Sequence, residues 1–138
     1  MTAARDSSTE SIRLGRVLIV EDEPLYAHRI ASLLDELGAD AVDICHTRGG
    51  AETAVGLHGA TYGFAMLDLQ LHETDSLSIA DRLDELDVPF AFVTGFASTR
   101  PDLHDHGAVA VLSKPVPVEG LRAVLEQVLG LREPETPT

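Results

Sequence analysis

Four short hydrophobic runs, each ending in a charged or hydroxyl side chain, constrain this chain most. They are Val17-Leu18-Ile19-Val20 before Glu21-Asp22-Glu23, Phe64-Ala65-Met66-Leu67 before Asp68, Phe90-Ala91-Phe92-Val93 before Thr94-Gly95, and Val109-Ala110-Val111-Leu112 before Ser113-Lys114-Pro115. Apolar runs this short and β-branched read as buried parallel strands. In an open parallel sheet the carboxyl ends of the strands share one edge, and ligands bind there. Glu21, Asp22, Asp68, Thr94 and Lys114 are therefore expected to converge. Carboxylates, one hydroxyl and one lysine around a single point suggest a divalent cation and a phosphoryl group.

Between those runs the apolar period changes to that of a helix. Pro24 suits a first helical turn, and Leu25, Ile30, Leu33, Leu34 and Leu37 recur at helical spacing until Gly38 closes the segment. A further strand is expected at about Ala41–Cys45. Thr47 caps a second helix running to about His58, weakened in its first turn by Gly49 and Gly50. Residues 70–76 read as a polar loop. Leu77, Ile79, Ala80, Leu83 and Leu86 mark a third amphipathic helix, and Pro89 precedes a strand where a missing N–H is tolerated. Residues 97–106 make the poorest helix, interrupted by Pro101. Pro117 opens the last helix, with Leu121, Val124, Leu125, Val128 and Leu129 on its inner face. Five alternations of strand and helix predict an α/β fold: a doubly wound five-stranded parallel sheet with helices on both faces. Residues 1–14 and 131–138 read as flexible tails around one domain at 15–130.

A chain of 138 residues is long enough for one domain with a real core, and 44% of it is hydrophobic. Its formal net charge of −13 argues against a sequence-independent hold on nucleic acid, which needs a basic face, and against an anionic membrane surface. No apolar run approaches a membrane span and residues 1–15 lack a signal-peptide core, so a cytoplasmic protein is expected. The single cysteine, Cys45, allows no internal disulfide and reads as a small buried hydrophobe. His104 and His106 read as exposed residues at a helix end. His72, in the loop after Asp68, reads as exposed.

With these residues in place, the chain resembles a response-regulator receiver domain (CheY-like) of two-component signalling, over about Arg16 to Leu129. The resemblance rests on four motifs in order: the acidic pair Glu21-Asp22, Asp68, the hydroxyl of Thr94, and Lys114-Pro115. An aspartate after a strand is common; the full set at these separations is specific. Pro89-Phe90-Ala91-Phe92-Val93-Thr94-Gly95-Phe96 is similar to the strand-four signature of the stand-alone "FAT GUY" receivers of alphaproteobacteria. Asp68-Leu69-Gln70-Leu71, Ser76-Leu77 and Ile79-Ala80-Asp81 point the same way.

The resemblance implies a flavodoxin-like sheet of order 2-1-3-4-5. It implies a single-domain response regulator in a phosphorelay, a phosphoacceptor and not a turnover enzyme. Asp68 would be the nucleophile, forming an acyl phosphate with a phosphoryl group from a sensor histidine kinase or histidine phosphotransfer protein. Asp22, Asp68 and the backbone carbonyl of Gln70 would ligate Mg²⁺, with Glu21 acting through water. Lys114 would neutralise phosphoryl oxygens as a point charge, and Thr94 would donate its hydroxyl and draw the following loop with it. Pro115 would follow a cis peptide bond. Output would be the binding of a downstream protein, and phosphorylation-dependent dimerisation would use the strand-four, helix-four, strand-five face.

Three departures matter. Many receivers carry Tyr or Phe three residues before the lysine, where this chain has Val111, so Phe96 is expected to substitute as the moving switch group or to cover the phosphoryl site. The family's loop proline and glycine are His72 and Ser76 here. Other readings stand beside the main one. A phosphate sink or shuttle between kinases needs the same site. A phosphorylation-independent docking module has no need of one. A haloacid-dehalogenase-type hydrolase needs a second acid two residues after the nucleophile, and that residue is Gln70. Glu21 and Asp22 would also favour the start of the following helix through its dipole.

Overall fold

The structure, a computed structural model, describes residues 14–72, 74–95 and 101–132. Phe96 and the 97–100 part of the weak helix lie outside the described residues, as do the tails at 1–13 and 133–138. The chain runs β1 (Gly15–Val20), α1 (Pro24–Glu36), β2 (Ala39–Cys45), α2 (Arg48–His58), β3 (Tyr62–Asp68), β4 (Gln70–Leu71), β5 (Thr74–Asp75), α3 (Leu77–Glu85), β6 (Phe90–Thr94), β7 (Ala110–Ser113) and α4 (Val118–Arg132). Short 3₁₀ turns occupy Gly59–Thr61 and Pro101–His106.

The main sheet has the order β2-β1-β3-β6-β7, and every neighbouring pair is parallel. Leaving out the small hairpin, this is the expected 2-1-3-4-5. The hairpin is the difference: the segment read as a polar loop pairs Gln70 with Asp75 and Leu71 with Thr74, antiparallel. Leu71 is buried there, which anchors the hairpin.

Period-two alternation divides the strands between two helix layers. Val17, Ile19, Phe64, Met66, Ala91 and Val93 pack with Ala27, Ile30 and Leu34 of α1 and Leu121, Val124, Leu125 and Val128 of α4. Leu18, Val20, Ala65, Leu67, Phe90 and Phe92 pack with Ala51 and Val55 of α2 and Ile79, Ala80 and Leu83 of α3. Both faces are covered, so the strands read as continuous apolar runs.

Local signals place the helices. Glu23 caps α1 by accepting the Tyr26 N–H at 3.1 Å, and Pro24 occupies the first helical position. Thr47 caps α2 by accepting the Gly50 N–H at 2.9 Å. Gly38, after α1, has φ +113°, which a side chain would resist. Two sequence expectations change. Leu25 is 81% exposed, and Tyr26 and Ala27 turn toward the core instead. Leu14, grouped by composition with the tail, is buried in the α1/α4 layer.

Candidate functional site

The same alternation selects which strand-end side chains meet. Glu21 continues the Val17–Ile19 row, Asp68 the Phe64–Met66 row, and Lys114 the Ala110–Leu112 row, all on the α1/α4 face. Thr94 continues the Phe90–Phe92 row on the other face. Each end is fixed by a backbone bond to the adjacent strand. The Glu21 N–H donates to the Cys45 carbonyl, the Leu69 N–H to Val93, and the Lys114 N–H to Thr94, each at 2.9 Å.

Carboxylate oxygens of Glu21, Asp22 and Asp68 come within 4.8 Å of one another. Lys114 Nζ donates to Asp68 Oδ2 at 3.2 Å and lies 3.0 Å from Glu21 Oε1. It is the only lysine in the chain. Glu21 is 3% exposed and Asp68 6%. His72 Nδ1 lies 3.0 Å from Asp22 Oδ2, and His46 Nδ1 donates to the Glu21 carbonyl at 2.9 Å. The hydroxyl-bearing Thr94 is buried at the same edge, while the Gln70 side chain is exposed on the hairpin. The Lys114–Pro115 peptide is cis.

One ammonium among three carboxylates leaves excess negative charge, and the titration of the cluster reflects it. Burial first, then the Asp68 charge, pushes the Glu21 carboxyl up to about 7 against the pull of Lys114. Burial also raises Asp68, with Lys114 opposing. Burial works against the Lys114 ammonium, but Glu21 and Asp68 outweigh it and hold it above its ordinary value. Asp22 is the least buried of the three. Its burial is outweighed by hydrogen bonds to His72 and Glu21, which hold it below the usual carboxylate range.

Residues 17–126 match the response regulator receiver domain. The chain belongs to that family. The receiver is 28% identical over 133 residues to the phyllosphere-induced regulator PhyR of Methylorubrum extorquens, covering 91% of this chain and 45% of that protein. It is 32% identical over 113 residues to the positive alginate biosynthesis regulatory protein of Pseudomonas aeruginosa, covering 80% and 46%. The chain thus spans about half the length of the curated relatives it matches. Its fold superposes on the solution structure of the receiver domain of Erythrobacter litoralis PhyR with a TM-score of 0.75 at 27% identity, covering 93% of this chain and 99% of that one.

Receiver domains bind Mg²⁺ at an acidic cluster, and the residues here fit such an ion. The donors are oxygens only, which a small hard cation prefers, and three carboxylates with a single ammonium among them carry excess negative charge that a divalent cation would offset.

Several surrounding residues differ from the sequence reading. His72 is 87% exposed as expected, yet it contacts Asp22. His106 is partly buried: its Nδ1 lies 2.9 Å from Asp81 Oδ1, and its ring packs edge-on against Phe92. His104 is exposed. Cys45 is half-buried at the end of β2, an outer strand of the sheet, and not enclosed. Val111 pairs with Phe92 across β6 and β7 and packs against the α2/α3 layer. Tyr26 was missed altogether. Its ring centroid lies 5.0 Å from Lys114 Nζ, and its hydroxyl accepts the Val116 N–H at 2.9 Å. An aromatic residue in the first turn after an acidic strand end is the signal that could have found it.

Proposed function

We propose that this receiver accepts a phosphoryl group on Asp68 and signals by a phosphorylation-dependent change of its β6–β7 surface. The observation that carries the proposal is the setting of Asp68: a buried strand-end carboxylate, joined to the chain's only lysine, beside two further acids. A structural ion pair needs one acid. The additional acids make sense where a cation and a transferable phosphoryl group are handled.

In the proposed reaction an Asp68 oxygen attacks the phosphorus of a phosphohistidine on a histidine kinase or phosphotransfer protein. The O–P bond forms as the N–P bond breaks, and the imidazole leaves with the electron pair and takes a proton from solvent. Asp22, Asp68 and the Gln70 carbonyl would hold Mg²⁺, with Glu21 acting through water, and the ion would supply positive charge for the acceptor and the incoming group. Lys114 exchanges carboxylate contacts for phosphoryl oxygens. Thr94 offers its hydroxyl to the phosphoryl group. Its carbonyl already holds the Lys114 N–H, so movement at Thr94 is coupled to β7. Val111 and Phe92 lie on that path. Gln70 in place of a second acid disfavours a turnover hydrolase.

The functional unit of this proposal is residues 15–130 together with the buried Leu14, acting as a stand-alone cytoplasmic receiver whose partners are a phosphodonor protein and a downstream protein. The name of one relative ties it to alginate biosynthesis and that of the other to induction in the phyllosphere. The shared role would be that of a phosphorylated input module for such a regulatory response. Intact mass after incubation with Mg²⁺ and a small phosphodonor tests the chemistry. One added phosphoryl group on wild type and none on Asp68→Asn is expected. An adduct on both proteins, or none on wild type with either the small donor or a phosphohistidine kinase, overturns it.

A further inference from the structure

We infer that Tyr26 is a positioning residue for the Lys114 ammonium, an assignment that rests on the proposed phosphoryl chemistry of the site. Two contacts made by different parts of the side chain carry it. The ring face lies 5.0 Å from Nζ, within cation–π range, and the hydroxyl accepts the Val116 N–H at 2.9 Å from ninety residues away. Lys114 is therefore gripped at its charged tip by the ring, while the hydroxyl holds the backbone two residues beyond it.

Tyr26 is itself held by the acidic strand end. The Glu23 N–H donates to Glu21 Oε2 at 3.1 Å, and Glu23 Oε1 accepts the Tyr26 N–H at 3.1 Å. Pro24 fixes the intervening turn. From Tyr26 the path crosses to Val116, returns along the chain to Lys114, and closes on Glu21 Oε1 at 3.0 Å. Tyr26 thus completes a closed ring of contacts that joins the end of β1 to the loop after β7. In that ring the lysine has two carboxylate partners and one aromatic face. When a phosphoryl group draws the ammonium off the carboxylates, the ring face is the contact that remains. A flexible four-carbon stem without that face would sample more positions.

The test uses two variants. Tyr26→Phe keeps the ring and removes the hydroxyl; Tyr26→Leu removes both. Because Lys114 is the only lysine, lysine-selective isotope labelling gives one side-chain NMR signal set. The inference expects Tyr26→Phe to retain the ring-shifted Lys114 Cε signal and to move the Val116 amide. It expects Tyr26→Leu to lose the Cε shift and to accept phosphate from a small donor about three- to tenfold more slowly, with Tyr26→Phe, which keeps the ring contact, slowed less. An unchanged Lys114 signal in Tyr26→Leu overturns it, as does an equal slowing in both variants. The Cε signal is read without donor. If wild type accepts no phosphate, the proposed function fails while the NMR arm still decides the placement of Lys114.

Discussion

Asp43 and Asp68 both lie in strands of the central sheet and both meet a cation, yet their surroundings differ in charge balance. At Asp43, Arg16 donates through Nε at 2.8 Å and through a second guanidinium nitrogen at 3.1 Å, and the Tyr62 hydroxyl donates at 2.7 Å. One acid thus has three donor contacts. Burial works to raise Asp43, but the Arg16 and Tyr62 hydrogen bonds outweigh it and hold the carboxyl below its ordinary value. At Asp68 one ammonium is shared between two acids, with a third nearby, and burial wins. The first arrangement is closed and complete, as a structural pair should be. The second is short of positive charge, which suits a site meant to take in a cation and a phosphoryl group. The two tyrosines of the chain mark the two regions, Tyr62 at the first and Tyr26 at the second.

Removing the shared cation should have the largest effect. In Lys114→Met the acidic trio loses its only ammonium, and phosphoryl acceptance should fall about 10²-fold, the usual cost of one preorganised charge-stabilising group. Mg²⁺ binding should tighten in the same variant, because a competing positive charge has gone. Rates by intact mass and Mg²⁺ affinity by calorimetry check the pair of expectations. Slower acceptance with weaker Mg²⁺ binding would mean that Lys114 scaffolds the site and does not balance its charge.

The next effect is one of sign. Glu21 titrates near 7 when folded against 4.5 ordinarily, so the folded protein holds a proton that the unfolded chain releases. The stability from that proton is fully present below about 4.5 and lost as pH rises through about 7. Asp68 is shifted in the same direction. Asp43 and Asp22 are lowered, so their contribution is present at neutral pH and lost on acidification. Without metal, the melting temperature should therefore decline between pH 5 and 7.5, and Mg²⁺ should abolish that decline. Glu21→Gln should flatten it. Melting curves across that range, with chelator and with Mg²⁺, decide; a metal-free profile that rises across it would contradict the upward shift of the Glu21 and Asp68 carboxyls.

This contrast was only half legible in the sequence. Apolar runs ending in Glu21, Asp68, Thr94 and Lys114 announce a strand edge, because strand periodicity and parallel topology together dictate convergence. Contacts between distant, half-exposed residues leave no such pattern. His106 meets Asp81 and Arg16 meets Asp43 across 25 and 27 residues, with no local spacing to reveal either. Leu25 misled for another reason. It lies nine residues before Leu34, about 180° around a helix of 3.6 residues per turn, so the two cannot share a buried face. Once Ala27, Ile30 and Leu34 take the core, Leu25 is turned outward and Tyr26 falls beside Lys114. The β4–β5 hairpin is two residues per strand, too short for any alternation to show.

At the balanced site a smaller loss is expected. Tyr62→Phe removes one of the donors to Asp43 while keeping the buried ring, and should cost about 1 kcal/mol, the usual worth of a hydrogen bond. Phosphoryl acceptance should be unchanged, since nothing in that variant touches Lys114 or Asp68. Chemical denaturation and the mass assay separate the two readouts. A change in acceptance rate would show that the two regions communicate and are not independent.

The smallest effect concerns a polar group with neither kind of arrangement. Ser76 precedes α3 and is fully buried, and its hydroxyl oxygen has no hydrogen-bond partner among the described residues. Its position before the helix would normally give that hydroxyl an N–H to accept. Here Asp75 Oδ1 takes the Leu77 N–H at 3.1 Å, while the Ser76 backbone is used on both sides, its N–H to Leu69 and its carbonyl to Ala80. The serine backbone is therefore needed and its hydroxyl is not. Ser76→Ala deletes the desolvated oxygen and keeps every backbone bond, so stability should be unchanged or rise by up to about 1 kcal/mol. A loss of stability in Ser76→Ala would mean that the hydroxyl has a partner after all, and that it adds to the hold the Asp75 side chain already has on the start of α3.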